Sequence, residues 1–367
     1  MVLHYFFYFF LACIFAWALT PLVKKLAVSL QVLDIPTSPR KIHKLPTPLL
    51  GGLAVYGAFL FSLAVYLLFG HVDFLVVPMK FFWAIIFGGL TLIIGGGLDD
   101  KYNLPPKILW LFPALASLII VWSGIGVGIS QISNPFGNPI QIGYQFSLFN
   151  LRFALPALLV WLWMMGMIFT TKFLDGLDGL CGGITFIASA TLFALSLTSK
   201  INQPITATLA IIVCGSLFGY LFFAFNPASI FFGEGGSTFC GFMLGVLSII
   251  LGGKIATALL VMGIPILDVA WVIVRRLWYR TSPFRADRKH LHFRLLDLGF
   301  SQKQTVIILY AISAVFGFTA VFLQSFGKLI ALILLFCVML ALALSVVLIF
   351  KKQHPHVPKE QGTSKDT

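Results

Sequence analysis

Acidic and imidazole side chains gather at a few points in a chain that otherwise carries little charge. Asp99 and Asp100 are adjacent and follow Gly95-Gly96-Gly97-Leu98, Asp175 and Asp178 frame an Asp-Gly-Leu-Asp-Gly run, and Glu234 lies within Gly233-Glu234-Gly235-Gly236-Ser237-Thr238. His290 and His292 flank Leu291 in a stretch that also holds Arg285, Arg288, Lys289 and Arg294. Adjacent carboxylates repel, so the Asp pair favours either a nearby cation or a retained proton, giving a charge-stabilising or a proton-transfer role. Asp175 and Asp178, spaced i, i+3, share a face if a helix begins there, where the helix dipole favours them. Small residues around Glu234 let a ligand approach the backbone, and its carboxylate is an oxygen ligand of the kind Mg²⁺ takes beside phosphates. Arginine forks and imidazoles can donate to a diphosphate. Each cluster alone also has a plain reading: a solvated turn, a capped helix start, or a basic segment lying on acidic lipid.

The elements that must carry these groups are apolar. Hydrophobic residues make up 59% of the 367-residue chain and charged residues 10%, against roughly 45–50% and 25% in soluble domains. The composition predicts an all-α, polytopic integral membrane protein. Eleven spans are expected, at about 3–23, 49–70, 81–98, 108–126, 154–174, 183–199, 207–225, 238–252, 255–274, 304–323 and 329–350. With the N-terminus outside, residues 24–48, 99–107, 171–182, 226–237, 275–303 and 351–367 fall inside, and they hold 20 of the 25 Lys and Arg. That asymmetry predicts an N-out, C-in protein of the plasma (inner) membrane with every acidic cluster on the cytoplasmic face.

The net charge of +13 then belongs to one face, suits anionic lipids and phosphates, and does not require nucleic acid. Charge in hydrocarbon is costly, so carboxylates kept at one membrane face imply a metal or a charged substrate. Asp268, two turns inside the ninth span after Pro265, is expected to be a structural partner for a neighbouring helix or loop. The five cysteines are scattered singly, which indicates neither a disulfide framework nor a zinc site. Residues 1–350 read as a single transmembrane catalytic domain, 351–367 as a disordered cytoplasmic tail, and the outer loop at 127–153 as a small hairpin.

In colinear order from Asp34 to Phe300, the chain resembles the polyprenyl-phosphate N-acetylhexosamine-1-phosphate transferase family. The matching residues are Pro36 through Gly51-Gly52, Gly97-Leu-Asp99-Asp100 with Leu104, Asp175-Gly-Leu-Asp178-Gly-Leu, Asn226-Pro-Ala with Phe231-Phe-Gly-Glu234-Gly-Gly-Ser237, and Asp287-Arg-Lys-His290-Leu-His292. The resemblance implies transfer of a sugar-1-phosphate from a UDP-N-acetylhexosamine to undecaprenyl or another polyprenyl phosphate, with release of UMP and with Mg²⁺, or Mn²⁺ in its place. It makes Glu234 the leading metal ligand, with Asp178 and Asp175 organising the metal and nucleotide region. Asp99 or Asp100 would bind or deprotonate the lipid phosphate, and Lys107 would serve it. Arg288, His290 and His292 would hold the diphosphate or sugar, with Asn226, Arg40, Lys41 and His43 as further substrate contacts.

Departures from the family pattern stand at Leu109, Phe169, Lys172, Glu234 and Phe293, where Lys, Asn, Asn, Asp and His are usual. Lys172 is expected to meet a phosphate in place of the lost amide. The spaced His-x-His favours the UDP-GlcNAc branch serving surface glycans. The alternatives are the peptidoglycan precursor translocase, which usually has consecutive histidines, and a silent lipid-phosphate-binding relative. A transporter would place ionisable groups near the midplane, where only Asp268 leans. The expected surroundings are membrane lipids and, as an option left open, a second copy of the chain.

Overall fold

The computed structural model describes residues 2–36, 43, 45–70, 72, 74, 77–126, 131–132, 140–141, 145–148, 151–252, 255–278 and 290–353. Its helices are α1 (Val2–Ser29), α2 (Gly51–Phe69), α3 (Met79–Tyr102), α4 (Pro106–Leu109), α5 (Leu111–Ser123), α6 (Leu155–Leu174), α7 (Leu180–Ser196), α8 (Pro204–Ala224), α9 (Gly233–Ile250), α10 (Ile255–Val261), α11 (Gly263–Trp278), α12 (Leu291–Asp297), α13 (Gln302–Phe322) and α14 (Ser325–Gln353). Three short antiparallel strand pairs join them: β1 (Leu33–Asp34) with β2 (Thr47–Pro48), β3 (Gln131–Ile132) with β4 (Ile140–Gln141), and β5 (Gln145–Leu148) with β6 (Leu151–Ala154). The last two pairs are the hairpin structure expected in the 127–153 loop.

Among the described residues, eight helical stretches are long and apolar enough to cross a bilayer: α1, α2, α3, α4 with α5, α6, α8, α9 and α13. The chain is thus an all-α polytopic membrane protein. The expected straight span 255–274 is instead broken into α10 and α11, bent by 83°. Pro265 explains the break: it tolerates the first turn of α11, but in a continuous helix its ring would strike the carbonyl four residues earlier and leave that carbonyl without its donor. α7, with 17 residues, and the apolar stretch 326–342 of α14 are shorter than the eight. α14 runs through Gln353, into the segment expected as tail, and residues 354–367 lie outside the described residues.

α9 is the centre of the bundle and is buried along nearly its whole length. Glycines allow that burial. A Cβ on Gly52 of α2 would lie 2.2 Å from the Gly236 Cα, and one on Gly96 of α3 would lie 2.0 Å from the Gly235 nitrogen, so α2 and α3 touch the first turn of α9 backbone to backbone. The glycines expected to admit a ligand near Glu234 therefore admit two helices instead. The carbonyls of Phe231 and Phe232 accept the N–H groups of Gly51 and Gly52 at 3.0 and 2.8 Å, which satisfies the start of α2 and ties it to the segment before α9.

Candidate active site

The helix crossing fixes Glu234. Its N–H, one of the donors a helix start leaves unsatisfied, donates to Asp100 Oδ1 at 3.0 Å, so the last turns of α3 cap α9 from outside. Asp99 Oδ1 accepts the Leu104 N–H at 2.9 Å. Both aspartates were expected in a loop, but α3 continues through Tyr102 and ends on Asn103 in the left-handed region (φ 48°), a conformation Asn tolerates. The Asp pair is therefore held on a rigid element.

Asp175 and Asp178 lie in the turn between α6 and α7, because α7 begins only at Leu180. The helix face they were expected to share is absent. Asp178 Oδ2 accepts Asn226 Nδ2 at 2.8 Å and the Ala228 N–H at 3.0 Å, and Asn226 also donates to Gln302 Oε1 at 2.7 Å. These bonds tie the α6–α7 turn, the segment after α8 and the start of α13 together. Asp175 borders the cavity described below and is exposed to it, with protein packed around its remaining sides. That burial, followed by the charges of Asp100, Glu234 and Asp178, raises its pKa to about 8.

Lys172, at the end of α6, reaches Glu234. Its Nζ lies 2.6 Å from Glu234 Oε1, with both side chains mostly covered. The contact is a short, charge-assisted ion pair. The Lys172 ammonium also stands over the Phe169 ring, 5.9 Å from its centroid. Lys172 was expected to face a phosphate, whereas here its partner is a carboxylate.

This pair bears on the Mg²⁺ expectation. The donors are oxygens of the right kind, and Mg²⁺ needs only one or two carboxylates beside substrate phosphates. The place beside Glu234 Oε1, however, is held by an ammonium at 2.6 Å, close to where an ion bonded at about 2.1 Å would have to sit. No three His, Cys, Asp or Glu side chains converge to hold a metal among the described residues. In this arrangement the residues do not fit a divalent ion at Glu234.

The histidines pack behind the Asp175–Asp178 turn. His290 Nδ1 lies 2.8 Å from Asp268 Oδ2, so that nitrogen carries the proton and donates, while Asp268 Oδ1 accepts the Leu291 N–H at 2.8 Å. Asp268 is thus the structural partner anticipated for it, and it clamps the start of α12. The Phe173, His290 and His292 rings stack in sequence, with His290 and His292 tilted by only 7°. His292 is buried and its Nε2 has no partner among the described residues. Burial, followed by its neighbour His290, holds its pKa down, to about 4, against the opposing pull of Asp268, so the ring is neutral. A Cβ on Gly176 would lie 2.4 Å from that Nε2, which packs the Asp-Gly-Leu-Asp turn directly against the His-x-His segment.

The acidic groups open into a cavity of about 660 Å³ bordered by Asp34, His43, Asp99, Asp100, Lys172, Asp175, Asp178, Glu234 and Gln302. His43 Nε2 lies 3.2 Å from the Asp34 carbonyl oxygen, and its ring meets Phe231 edge-on. A second cavity, about 500 Å³ and almost wholly apolar, is bordered by Trp110, Trp161, Phe169, Phe173 and Ile266, with Arg276 and His290 among its polar groups. His292 borders neither cavity, and Lys107 stands exposed on α4, away from both. Arg40, Lys41 and Arg288 lie outside the described residues. Asp34, Gln302 and Arg276 were not anticipated as site residues. A carboxylate in the same loop as His43 was the signal for Asp34, and a basic residue at the inner end of a span was the signal for Arg276, while Gln302 had none.

Glycosyl transferase family 4 is matched over residues 82–252, a range that includes Asp99, Asp100, Lys172, Asp175, Asp178, Asn226 and Glu234. The decaprenyl-phosphate N-acetylglucosaminephosphotransferase of Mycobacterium leprae (strain TN) is 30% identical over 338 residues, 84% of this chain and 81% of the relative. The probable undecaprenyl-phosphate N-acetylglucosaminyl 1-phosphate transferase of Bacillus subtilis (strain 168) is 29% identical over 324 residues, 87% and 84% of the two chains. The undecaprenyl-phosphate alpha-N-acetylglucosaminyl 1-phosphate transferase of Escherichia coli (strain K12) is 27% identical over 296 residues, 78% and 75%. With its acidic clusters gathered on one cavity in the order the resemblance required, the chain belongs to glycosyl transferase family 4, among the polyprenyl-phosphate N-acetylhexosamine-1-phosphate transferases.

Proposed function

We propose that this chain transfers N-acetylglucosamine-1-phosphate from UDP-GlcNAc to a polyprenyl phosphate at the cytoplasmic face of the plasma membrane. The observation that carries this reading is the use of α6 on two sides. Lys172 borders the charged cavity, and Phe169, one turn away, borders the apolar one with Phe173. An amphiphile with a phosphate head and an isoprenoid tail suits that junction, with His290 and Arg276 at the apolar cavity's polar positions. The nucleotide sugar would enter the charged cavity from the aqueous side.

An oxygen of the lipid phosphate attacks the β-phosphorus of the UDP-sugar. The bond from that phosphorus to the oxygen bridging to the α-phosphate breaks, and UMP leaves with the electron pair. At neutral pH the lipid phosphate is largely ionised and needs no base, so the chain's task is positioning and charge stabilisation. Asp100 fixes the first turn of α9, Asp99 holds the segment after α3 at Leu104, and Asp178 with Asn226 fixes the cavity wall. His43 and Lys172 are the cavity groups able to meet phosphate oxygens. Lys172 holds the place beside Glu234 that a divalent ion would take.

The Lys and Arg asymmetry supports an N-out, C-in orientation, and counting the broken pair, α7 and α14 as spans makes eleven. Lipid surrounds the outward apolar faces, and a second copy meeting one of them would give a homodimer. The test is purified protein with undecaprenyl phosphate and a panel of UDP-sugars, following UMP release and lipid product. UDP-GlcNAc is expected to give both; no turnover with any sugar by protein that still binds lipid phosphate would overturn the reading.

A further inference from the structure

We infer that Lys172 is the resident cation of this site, occupying beside Glu234 the position a divalent metal ion would need, so that the free protein has no metal site at that carboxylate. The inference concerns the same cavity as the proposed reaction and rests on that reading only for its catalytic meaning. Lys172 is held from three directions. Its ammonium lies 2.6 Å from Glu234 Oε1 and over the Phe169 ring, and its charge also acts on Asp99 across the cavity. Its backbone is in the last turn of α6, directly before the Asp175 turn.

The partner is equally fixed. Glu234 stands in the first turn of α9, where Gly235 and Gly236 pack against the backbones of α3 and α2 and Asp100 binds the Glu234 N–H. Neither residue can leave the other by a shift of its helix. Only the Lys172 side chain can swing away, and doing so would leave a covered carboxylate without its counter-charge, which is strongly unfavourable. A divalent ion arriving at Glu234 would have to displace an attached cation or sit beside it against direct repulsion. Among the described residues the neighbouring acids form no group of three ligands, and Asp178 Oδ2, Asp99 Oδ1 and Asp100 Oδ1 already receive donors.

The consequence is a division of labour within the site. A lysine is a compact point charge on a flexible stem, able to exchange a carboxylate for a phosphate as a substrate arrives, whereas a metal ion would bind both at once. The donor's diphosphate would then compete with Glu234 for the Lys172 ammonium, with no bond formed to the lysine.

The test is Mn²⁺ binding to the purified full-length protein without substrate, read as loss of the free-ion signal in electron paramagnetic resonance. Substrate is omitted because a nucleotide diphosphate binds Mn²⁺ itself. Wild type and Glu234→Gln are expected to give superimposable isotherms. Lys172→Asn is expected to gain a saturable site about 10-fold or more tighter than any in wild type, by removal of the adjacent charge, and Lys172→Asn/Glu234→Gln is expected to lose it. Lys172→Arg should behave as wild type. Saturable binding by wild type that Glu234→Gln removes would overturn the inference, and this comparison needs no lysine variant to fold. A folded Lys172→Asn with no added site would overturn it as well. Because the readout is binding, a failure of the transferase assay leaves the result interpretable, and the reverse also holds.

Discussion

The charged cavity and the histidine segment packed behind it are built from different materials and held in different ways. On the α3 and α9 wall, carboxylates are anchored through backbone N–H groups: Asp100 by Glu234, Asp99 by Leu104, each with one oxygen. In the α11 and α12 segment, imidazoles are anchored through Asp268 and through ring stacking; His290 borders the apolar cavity, and His292 is buried, neutral and outside both. The carboxylate wall presents charge to whatever enters, while the histidine segment spends its polar groups on its own geometry. Residues of equal chemical promise in sequence can therefore divide into those that face the ligand and those that hold the framework. The two kinds should respond differently to substitution.

The largest separation is expected at Glu234. Glu234→Gln keeps the shape and removes the charge, and UMP release should fall about 100-fold or more, the size found when a preorganised electrostatic group is lost. Its melting temperature in detergent should fall somewhat, because the Lys172 ammonium loses its counter-charge, and turnover is compared per folded protein. Retained turnover would remove the carboxylate wall from the chemistry. Asp268→Ala should reverse the pattern, costing stability first. The Leu291 N–H and His290 Nδ1 lose their acceptor, at about 1–3 kcal/mol for a covered donor left unpaired. Thermal melting checks this, and an unchanged midpoint would mean that the His290 wall stands without its clamp. Gly176→Ala should be milder, about 1–3 kcal/mol from overpacking against His292, less where the ring yields. Its companion His292→Ala should relieve that clash, and a double variant no more stable than Gly176→Ala alone would show that the contact is not the cause.

The clusters themselves were legible because an ionisable group in a chain this apolar has few reasons to exist. Asp99, Asp100, Asp175, Glu234 and His43 do meet at one cavity, as their placement at span ends implied. Their partners were not legible. That Asp268 needed a partner followed from its depth in a span, but His290 as the partner depends on the bend at Met262, which a hydropathy pattern does not register. The glycines around Glu234 looked like room for a ligand because sequence shows the missing side chain and not the neighbour that fills the gap. Lys172 and Glu234 were each visible as departures, but their pairing exists only once α6 and α9 pack together. Gln302 had no signal at all, since a glutamine at a helix start is ordinary until Asn226 is seen to reach it.

The smallest expected effect separates the cavity carboxylates from the histidine segment by pH. Asp175 belongs to the carboxylate wall, and its pKa is raised, to about 8, chiefly by the surrounding protein and then by Asp100, Glu234 and Asp178. The unfolded chain releases that proton near its ordinary value of about 4. Between these values the folded protein keeps a proton the unfolded chain has lost, so Asp175 contributes stability at low pH that declines as pH rises and levels off above the folded pKa. Wild type should therefore lose more melting temperature between pH 6 and pH 9 than Asp175→Asn, which cannot ionise. His292 has the opposite sign. Its lowered pKa keeps it neutral in the fold, so its contribution declines as pH falls through the ordinary histidine range of about 6.5, equally in wild type and Asp175→Asn, and cancels from the comparison. Equal slopes for wild type and Asp175→Asn from pH 6 to pH 9 would mean that Asp175 is ionised throughout, with cavity water and Lys172 outweighing its acidic neighbours.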